Sequence, residues 1–185
     1  HDANPLKDSL MDLSTTNEAG AVYNTYINSF TNQDGSVNWL PVCADAHGFV
    51  VNRDLFEKYD IPLPTDYESF VSACREFKKA GIRGFAADYY YDYTCMETLQ
   101  GLSASELSSA AGRKWRTIYS NPENTKREGL DSTVWPEAFE RMEQFIKDTG
   151  LSRDDLDMNY DDVIELYKNG KVAMYFGSSS GVKIF

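Results

Sequence analysis

The 185-residue chain carries 18 Lys and Arg against 29 Asp and Glu, which gives a formal net charge of −11 and a pI near 4.6. Because nucleic acids and anionic membranes are bound through an excess of positive charge, this balance excludes nucleic acid as a partner and argues against membrane-surface docking. The 42% hydrophobic fraction is enough for a packed core, and the three cysteines form no CxxC pair that would indicate a zinc or redox motif.

The N-terminal part of the sequence predicts one helix and a hairpin. Thr15 and Glu18 have the spacing of a capping box, and the helix after them places apolar residues from Val22 to Phe30 on one face. Asp34-Gly35 then predicts a two-residue hairpin turn, since glycine readily adopts positive φ. The strand that follows would run from Val37 to Val42.

A polar loop containing Asp45 and His47 precedes the next predicted strand, Gly48 to Val51. Further along the chain, Thr65 and Glu68 form a second capping-box pattern, which opens a helix with a regular apolar face. The polar loop is the part of this stretch where a ligand would be met.

The remaining sequence alternates between strands and helices. The predicted elements, in chain order, are a strand at Ile82–Ala87, two or three helices over Thr94–Tyr119, helices at Pro136–Gly150 and Asp161–Asn169, and a strand at Lys171–Phe176. Helices between strands imply crossover connections, so the fold class is α/β with layered helices and sheet. Because so few strands make an incomplete sheet, we expect the sequence to be part of a longer protein.

Two motifs suggest chemistry that their surroundings do not support. Gly177-x-Ser179-x-Gly181 matches the nucleophile elbow of an α/β-hydrolase, but no histidine follows it and His47 lies far upstream. The alternating acids from Asp155 to Asp161 resemble half of an EF-hand, yet Tyr160 and Leu166 stand where that loop needs Gly and Glu. An α/β-hydrolase fragment with Ser179 as nucleophile remains an alternative, and no metal or cofactor is expected.

The run from Asp88 to Tyr93 contains four tyrosines and two aspartates directly after a predicted strand. Ligands of α/β sheets bind beyond the carboxyl ends of strands. A tyrosine ring offers an apolar face to the C–H side of a sugar, and a carboxylate accepts hydrogen bonds from sugar hydroxyls. This run is therefore a candidate carbohydrate site, although we expect at least two of its tyrosines to pack in the core.

Three stretches, in order, resemble one protein family. Leu40-Pro41 with Gly48–Phe56 is similar to the family's LP and Y-N-K-D-L-F segments, Ile61–Phe70 to its P-x-T-W-x-E-F helix start, and Asn169–Ser178 to its G-K-x-A-M-x-x-x-G-x-W strand. The family is that of the extracellular solute-binding proteins of ABC transporters, of the carbohydrate-binding type that includes maltose-binding protein. The sequence departs from it at Ser179, where the family often has a sugar-stacking aromatic residue.

The resemblance implies a two-lobed, non-enzymatic binding protein with its ligand in the cleft between the lobes. It implies that residues 1–43 end the first lobe and cross over, and that 44–185 form most of the second lobe. It further implies a carbohydrate ligand, ABC permease subunits as partners, and a location as an extracellular, cell-surface lipoprotein or in the periplasm. A surface interaction module without a small ligand is a further alternative.

The expected ligand contacts come from three places: the polar loop, the tyrosine-rich run and the end of the last strand. They are Asp45, His47, Asp88, Tyr89, Tyr91, Gly177, Ser178 and Ser179.

Overall fold

The computed structural model describes residues 9–32, 34–120 and 133–184. The chain divides into two compact units, His1–Asp45 and Ala46–Phe185. Across the described ranges, every helix is too short or too polar to traverse a lipid bilayer.

The first unit contains two short helices, α1 (Asn17–Gly20) and α2 (Asn24–Ile27), instead of the one predicted helix. Thr16, and not Thr15, caps α1 by accepting a hydrogen bond from the Ala19 N–H at 3.2 Å. The predicted apolar face is largely uncovered, since Tyr23 is 80% exposed. Without a packed partner, an apolar pattern alone does not hold a continuous helix together.

The predicted hairpin is present only as a turn. Gly35 adopts a φ of +85°, as expected, and one isolated antiparallel bridge joins Thr31 to Val37. The strand predicted from Val37 to Val42 is wrong: residues 38–46 have no regular structure, and Val42 is 97% exposed. A strand needs a neighbour to accept its hydrogen bonds, and Pro41 has no N–H to donate.

The second unit alternates helices and strands as predicted. Its strands are β1 (His47–Val51), β2 (Arg83–Ala86) and β3 (Val172–Ser178). Its α-helices are α3 (Arg53–Lys58), α4 (Tyr67–Lys79), α5 (Asp92–Leu102), α6 (Ala104–Ser108), α7 (Ala110–Ser120), α8 (Trp135–Thr149) and α9 (Tyr160–Lys168). Two 3₁₀-helices cover Arg153–Asp157 and Ser179–Ile184.

The three strands form one sheet in the order β1-β3-β2. β3 lies in the centre, antiparallel to β1 and parallel to β2, with His47 opposite Ser178 and Ala86 opposite Tyr175. The start of β1 and the ends of β2 and β3 therefore lie at the same edge of the sheet. We call this edge, with the turn that follows β2 and the residues that follow β3, the carboxyl edge.

Helices α4 and α8 cover one face of the sheet through a cluster of phenylalanines. Phe70, Phe85 and Phe145 are at most 4% exposed, and their ring centroids lie 5.3 to 5.9 Å apart. The partly exposed Phe49 of β1 stacks on Phe70, with their ring centroids 4.8 Å apart. We refer to these four side chains as the phenylalanine cluster.

Helix α9 covers the other face, where Val163 and Ile164 pack against Val172 and Tyr175. The alternation of strand residues between the two faces produces three layers, helix–sheet–helix. The predicted α/β layered fold is thus confirmed.

Local details of the helices follow from their caps. Helix α4 begins at an Asp66–Ser69 capping box, not at the predicted Thr65–Glu68 pair.

Gly84 allows the sheet to approach α4 closely, because a Cβ there would lie 2.5 Å from the Cα of Cys74. Cys74 itself is buried at this contact.

Candidate functional site

The carboxyl edge brings together three segments that are distant in the sequence. His47 pairs with Ser178 and Gly48 pairs with Gly177, while the turn after β2 leads through Asp88 into the tyrosine-rich run. The predicted contact residues of the second unit therefore share one edge. Asp45 is exposed and ends the first unit, and its role as a ligand contact stays a prediction.

Asp88 is a buried carboxylate, with only 7% of the residue exposed. Burial raises its pKa above the ordinary value, the charge of Glu97 raises it further, and a hydrogen bond from the Thr94 hydroxyl opposes the rise. Its carbonyl oxygen accepts the Tyr91 N–H at 3.1 Å, which forms the turn that starts α5.

The tyrosines of the run have different surroundings. Tyr89 is 7% exposed and packs in the core beside Leu99, so its predicted place among the ligand contacts gains no support from its position. Tyr90 and Tyr93 are 64% and 55% exposed, and Tyr91 is half-buried between them. Only one of the four tyrosines is buried, against the two or more expected.

Three of these rings form an open aromatic surface. The rings of Tyr91 and Tyr93 stack at 5.4 Å with an interplanar angle of 22°, and Tyr90 meets Tyr91 edge-on at 5.2 Å. The Tyr90 N–H donates to the Met158 carbonyl at 3.1 Å, which anchors the turn to the segment before α9. Exposed ring faces held by main-chain bonds are suited to stacking on a ligand.

A surface pocket of about 230 Å³ opens at the end of β3. Its lining residues are Tyr160, Tyr175, Gly177, Ser178, Ser180 and Gly181. Gly177 has no room for a side chain, because a Cβ there would lie 2.7 Å from the Tyr175 ring. The hydroxyls of Ser178 and Ser180 are 2.6 Å apart.

Tyr160 connects this pocket to the buried acid. Burial raises the pKa of the Tyr160 hydroxyl, and the nearby charges of Asp88 and Asp161 raise it further. A Cβ on Gly181 would lie 3.4 Å from that hydroxyl. No sequence pattern points to Tyr160, because it lies at the start of α9 and only the fold determines its neighbours.

Ser179 extends the pairing of β1 and β3 beyond the strands. Its N–H donates to the Ala46 carbonyl at 2.9 Å, and its hydroxyl accepts the Ala46 N–H at 3.1 Å. Both bonds hold the chain at the start of β1, so the hydroxyl of the Gly-x-Ser-x-Gly motif has a structural use.

His47 pairs with Glu97, a residue that the sequence analysis also missed. The Nδ1 atom lies 2.9 Å from the Glu97 Oε2, and the imidazole centroid lies 6.1 Å from the Phe176 ring. The pair joins β1 to α5 at the carboxyl edge. Its only sequence signal is the four-residue spacing from Tyr93 to Glu97, which puts both on one side of α5.

The acidic loop that resembles half of an EF-hand makes structural contacts through Asp155. Asp155 is 2% exposed, accepts the Ser152 N–H at 2.6 Å and forms an ion pair with Arg83. Within the ranges that the structure describes, no group of three His, Cys, Asp or Glu side chains is arranged to hold a metal ion.

Comparison with known proteins shows the family to which this chain belongs. Residues 3–183 match the model of the bacterial extracellular solute-binding protein family. The chain therefore belongs to this family, and the resemblance of its three motif stretches is confirmed. No curated protein matches the sequence.

Solved structures share the fold. RafE in complex with raffinose superposes with a TM-score of 0.69 at 21% identity, over 94% of this chain and 44% of that one. A Bacillus licheniformis sugar transporter protein in complex with stachyose gives 0.66 at 13% identity, over 95% and 45%. A family 1 extracellular solute-binding protein from Bifidobacterium longum subsp. infantis gives 0.71 at 17% identity, over 94% and 44%. The chain thus spans less than half the length of these proteins.

Proposed function

We propose that the protein is the substrate-binding component of an ABC importer, which binds a carbohydrate between its lobes and delivers it to the membrane permease. The observation that carries the proposal is the carboxyl edge, where the half-buried Tyr91 ring stacks on the exposed Tyr93 ring just after the buried Asp88. The solved structures of RafE with raffinose and of the Bacillus licheniformis protein with stachyose support a carbohydrate ligand.

Each part of the edge has a distinct task in this proposal. The Tyr91 ring stacks on the apolar face of a sugar, while the Ser178 hydroxyl and His47 bond its hydroxyl groups. Gly177 lines the pocket, and its lack of a side chain makes room for the Tyr175 ring that lines the pocket beside it. Binding needs no chemical step, so none of these residues is assigned a catalytic role.

The organisation of the whole protein belongs to the same proposal. Residues 1–43 would form the end of the first lobe and the crossover, and residues 44–185 would form most of the second lobe, close to the division at Asp45. The protein would be displayed outside the cytoplasmic membrane, as a lipoprotein on the cell surface or in the periplasm. Its protein partners would be the permease subunits.

Isothermal titration calorimetry of the full-length protein tests the proposal. The panel contains raffinose, stachyose, chitotriose and xylotriose, and at least one should bind. Tyr91→Ala should weaken that binding by about five- to tenfold, since an aromatic stack is worth on the order of 1 kcal/mol beyond burial. Tyr119→Ala, a change of the same kind on α7, should leave affinity unaltered.

Two results would contradict the proposal. One is a full-length protein that binds none of these sugars. The other is a Tyr91→Ala variant with unchanged affinity, which would remove the carboxyl edge from the site. Labelling of Ser179 by a fluorophosphonate would instead favour the hydrolase alternative, and no labelling is expected.

A further inference from the structure

Charge is divided between the two edges of the sheet. Four segments of the carboxyl edge in the second unit, residues 46–48, 87–98, 157–162 and 177–181, contain no Lys or Arg, and Lys183 follows them in the last 3₁₀-helix. At the opposite edge, Arg53 follows β1, Arg83 starts β2 and Lys171 precedes β3. The net charge of the protein is therefore not spread evenly, and the candidate site lies at the acidic edge.

Several acidic groups influence titration at this edge. Burial raises the pKa of Asp88, and the charge of Glu97 raises it further. Asp88 and Asp161 both act on the Tyr160 hydroxyl, which lines the pocket at the end of β3. The pocket therefore shares a lining residue, Tyr160, with the groups on which Asp88 and Asp161 act.

The groups that face Asp88 do not neutralise it. The Thr94 hydroxyl donates a hydrogen bond to it, and neither this hydroxyl nor that of Tyr160 carries a positive charge. Asp88 forms no ion pair with a described Lys or Arg side chain. The imidazole of His47 is the nearby group that becomes cationic on protonation, and it is paired with Glu97.

We propose that this edge selects carbohydrates by charge: it accepts neutral sugars and sugars with a protonated amino group, and it rejects uronic acids and sugar phosphates. The proposal rests on the proposed function, because it describes the ligand of the same site. A carboxylate brought near Asp88 and Glu97 loses its hydration and meets like charge, whereas an ammonium group forms charge-assisted hydrogen bonds there.

Matched ligands test the selection on the full-length protein. Raffinose, stachyose and chitotriose are each compared with derivatives that carry a carboxylate or an amino group at C6 of the non-reducing sugar. Calorimetry should show binding of the carboxylate form at least about tenfold weaker than that of its parent, as expected for like charges a few ångströms apart at reduced dielectric. The amino form should bind at least as tightly as the parent.

Variants test whether the acidic residues of the carboxyl edge cause the weaker binding of the carboxylate forms. Asp88→Asn and Glu97→Gln should each bring the parent-to-carboxylate affinity ratio at least threefold closer to one, which is part of the tenfold effect of the intact edge. Glu143→Gln removes the same charge from an exposed site on α8 and should keep the ratio unchanged. If Asp88→Asn does not fold, as circular dichroism would show, Glu97→Gln carries the test by itself.

The outcomes separate this proposal from the function on which it rests. Binding of no sugar in any form overturns the proposed function. Binding of a carboxylate form as tightly as its parent overturns the charge selection and leaves carbohydrate binding in place. Unchanged affinity ratios in both variants would also overturn it.

Discussion

The phenylalanine cluster and the carboxyl edge use aromatic rings in opposite ways. In the cluster, Phe70, Phe85 and Phe145 are closed off between the sheet, α4 and α8. At the edge, Tyr90 and Tyr93 leave more than half of their surface open. The first arrangement gains free energy by removing rings from water, whereas the second leaves ring surface in water, where the proposed carbohydrate site requires it.

Polar groups follow the same division. The cluster belongs to the hydrophobic core, but the edge buries the Asp88 carboxylate beside the Thr94 hydroxyl. Burying a charge without a cation lowers stability, so the proposed binding role would account for a cost that folding does not explain. Substitutions in the two regions should therefore affect different measurements.

The largest effect on stability is expected in the phenylalanine cluster. Phe145→Ala removes a ring that is 0% exposed and should lower the free energy of unfolding by about 3–5 kcal/mol, measured by urea denaturation. Phe139→Ala on the same helix, where the side chain is 51% exposed, should cost less than about 1 kcal/mol. Equal costs would mean that α8 does not close the core as described.

An intermediate effect on stability is expected at Gly177 of β3, and its pairing partner Gly48 of β1 provides the control. Gly177→Ala places a methyl group 2.7 Å from the Tyr175 ring and 3.2 Å from the Val50 side chain, and should cost about 1–3 kcal/mol of stability. Gly48→Ala meets no atom within 4 Å and should be nearly neutral. Thermal unfolding of both variants measures the difference, and a stable Gly177→Ala would show that the pocket tolerates a side chain.

A smaller effect, dependent on pH, is expected from Asp88. Its pKa is raised by burial in the folded state, so folding is favoured when the group is protonated and this advantage is lost as pH rises above the unfolded value of 3.8. Asp88→Asn should therefore be at least as stable as the parent at neutral pH, with the difference shrinking as the pH falls toward that value. Urea denaturation over a pH series checks this, with Glu143→Gln as a control at an exposed position. A variant that is less stable at neutral pH would indicate that the charged form is stabilised.

The helices and strands of the second unit were largely predictable because their signals are local. The apolar period of α4, the proline at the start of α8 and the glycines after α8 and α9 are each read from neighbouring residues. Helix starts were less certain. Thr16 replaced Thr15 as a cap, and Asp66 replaced Thr65, because adjacent residues with suitable oxygens compete for the same free N–H groups.

The failures lie where a partner was required. The Val37–Val42 segment has strand-forming residues but pairs only at Val37, and the apolar face before it has little to pack against. In the same way, the sequence predicts the same role for Tyr89 and Tyr91. In the structure, Tyr89 is buried in the core cluster that contains Leu99, whereas Tyr91 stacks on the exposed Tyr93 ring. Propensity describes one residue, whereas pairing and burial depend on what the fold brings next to it.

The sequence by itself determined the α/β class, the family and the segments that reach the carboxyl edge, since all three depend on patterns along the chain. Only the tertiary structure decided which of those residues meet. It paired His47 with Glu97, brought Tyr160 within range of the Asp88 charge, and engaged Ser179 with the main chain of Ala46. These contacts join residues far apart in the chain, and their positions follow from strand order and register, which no local pattern encodes.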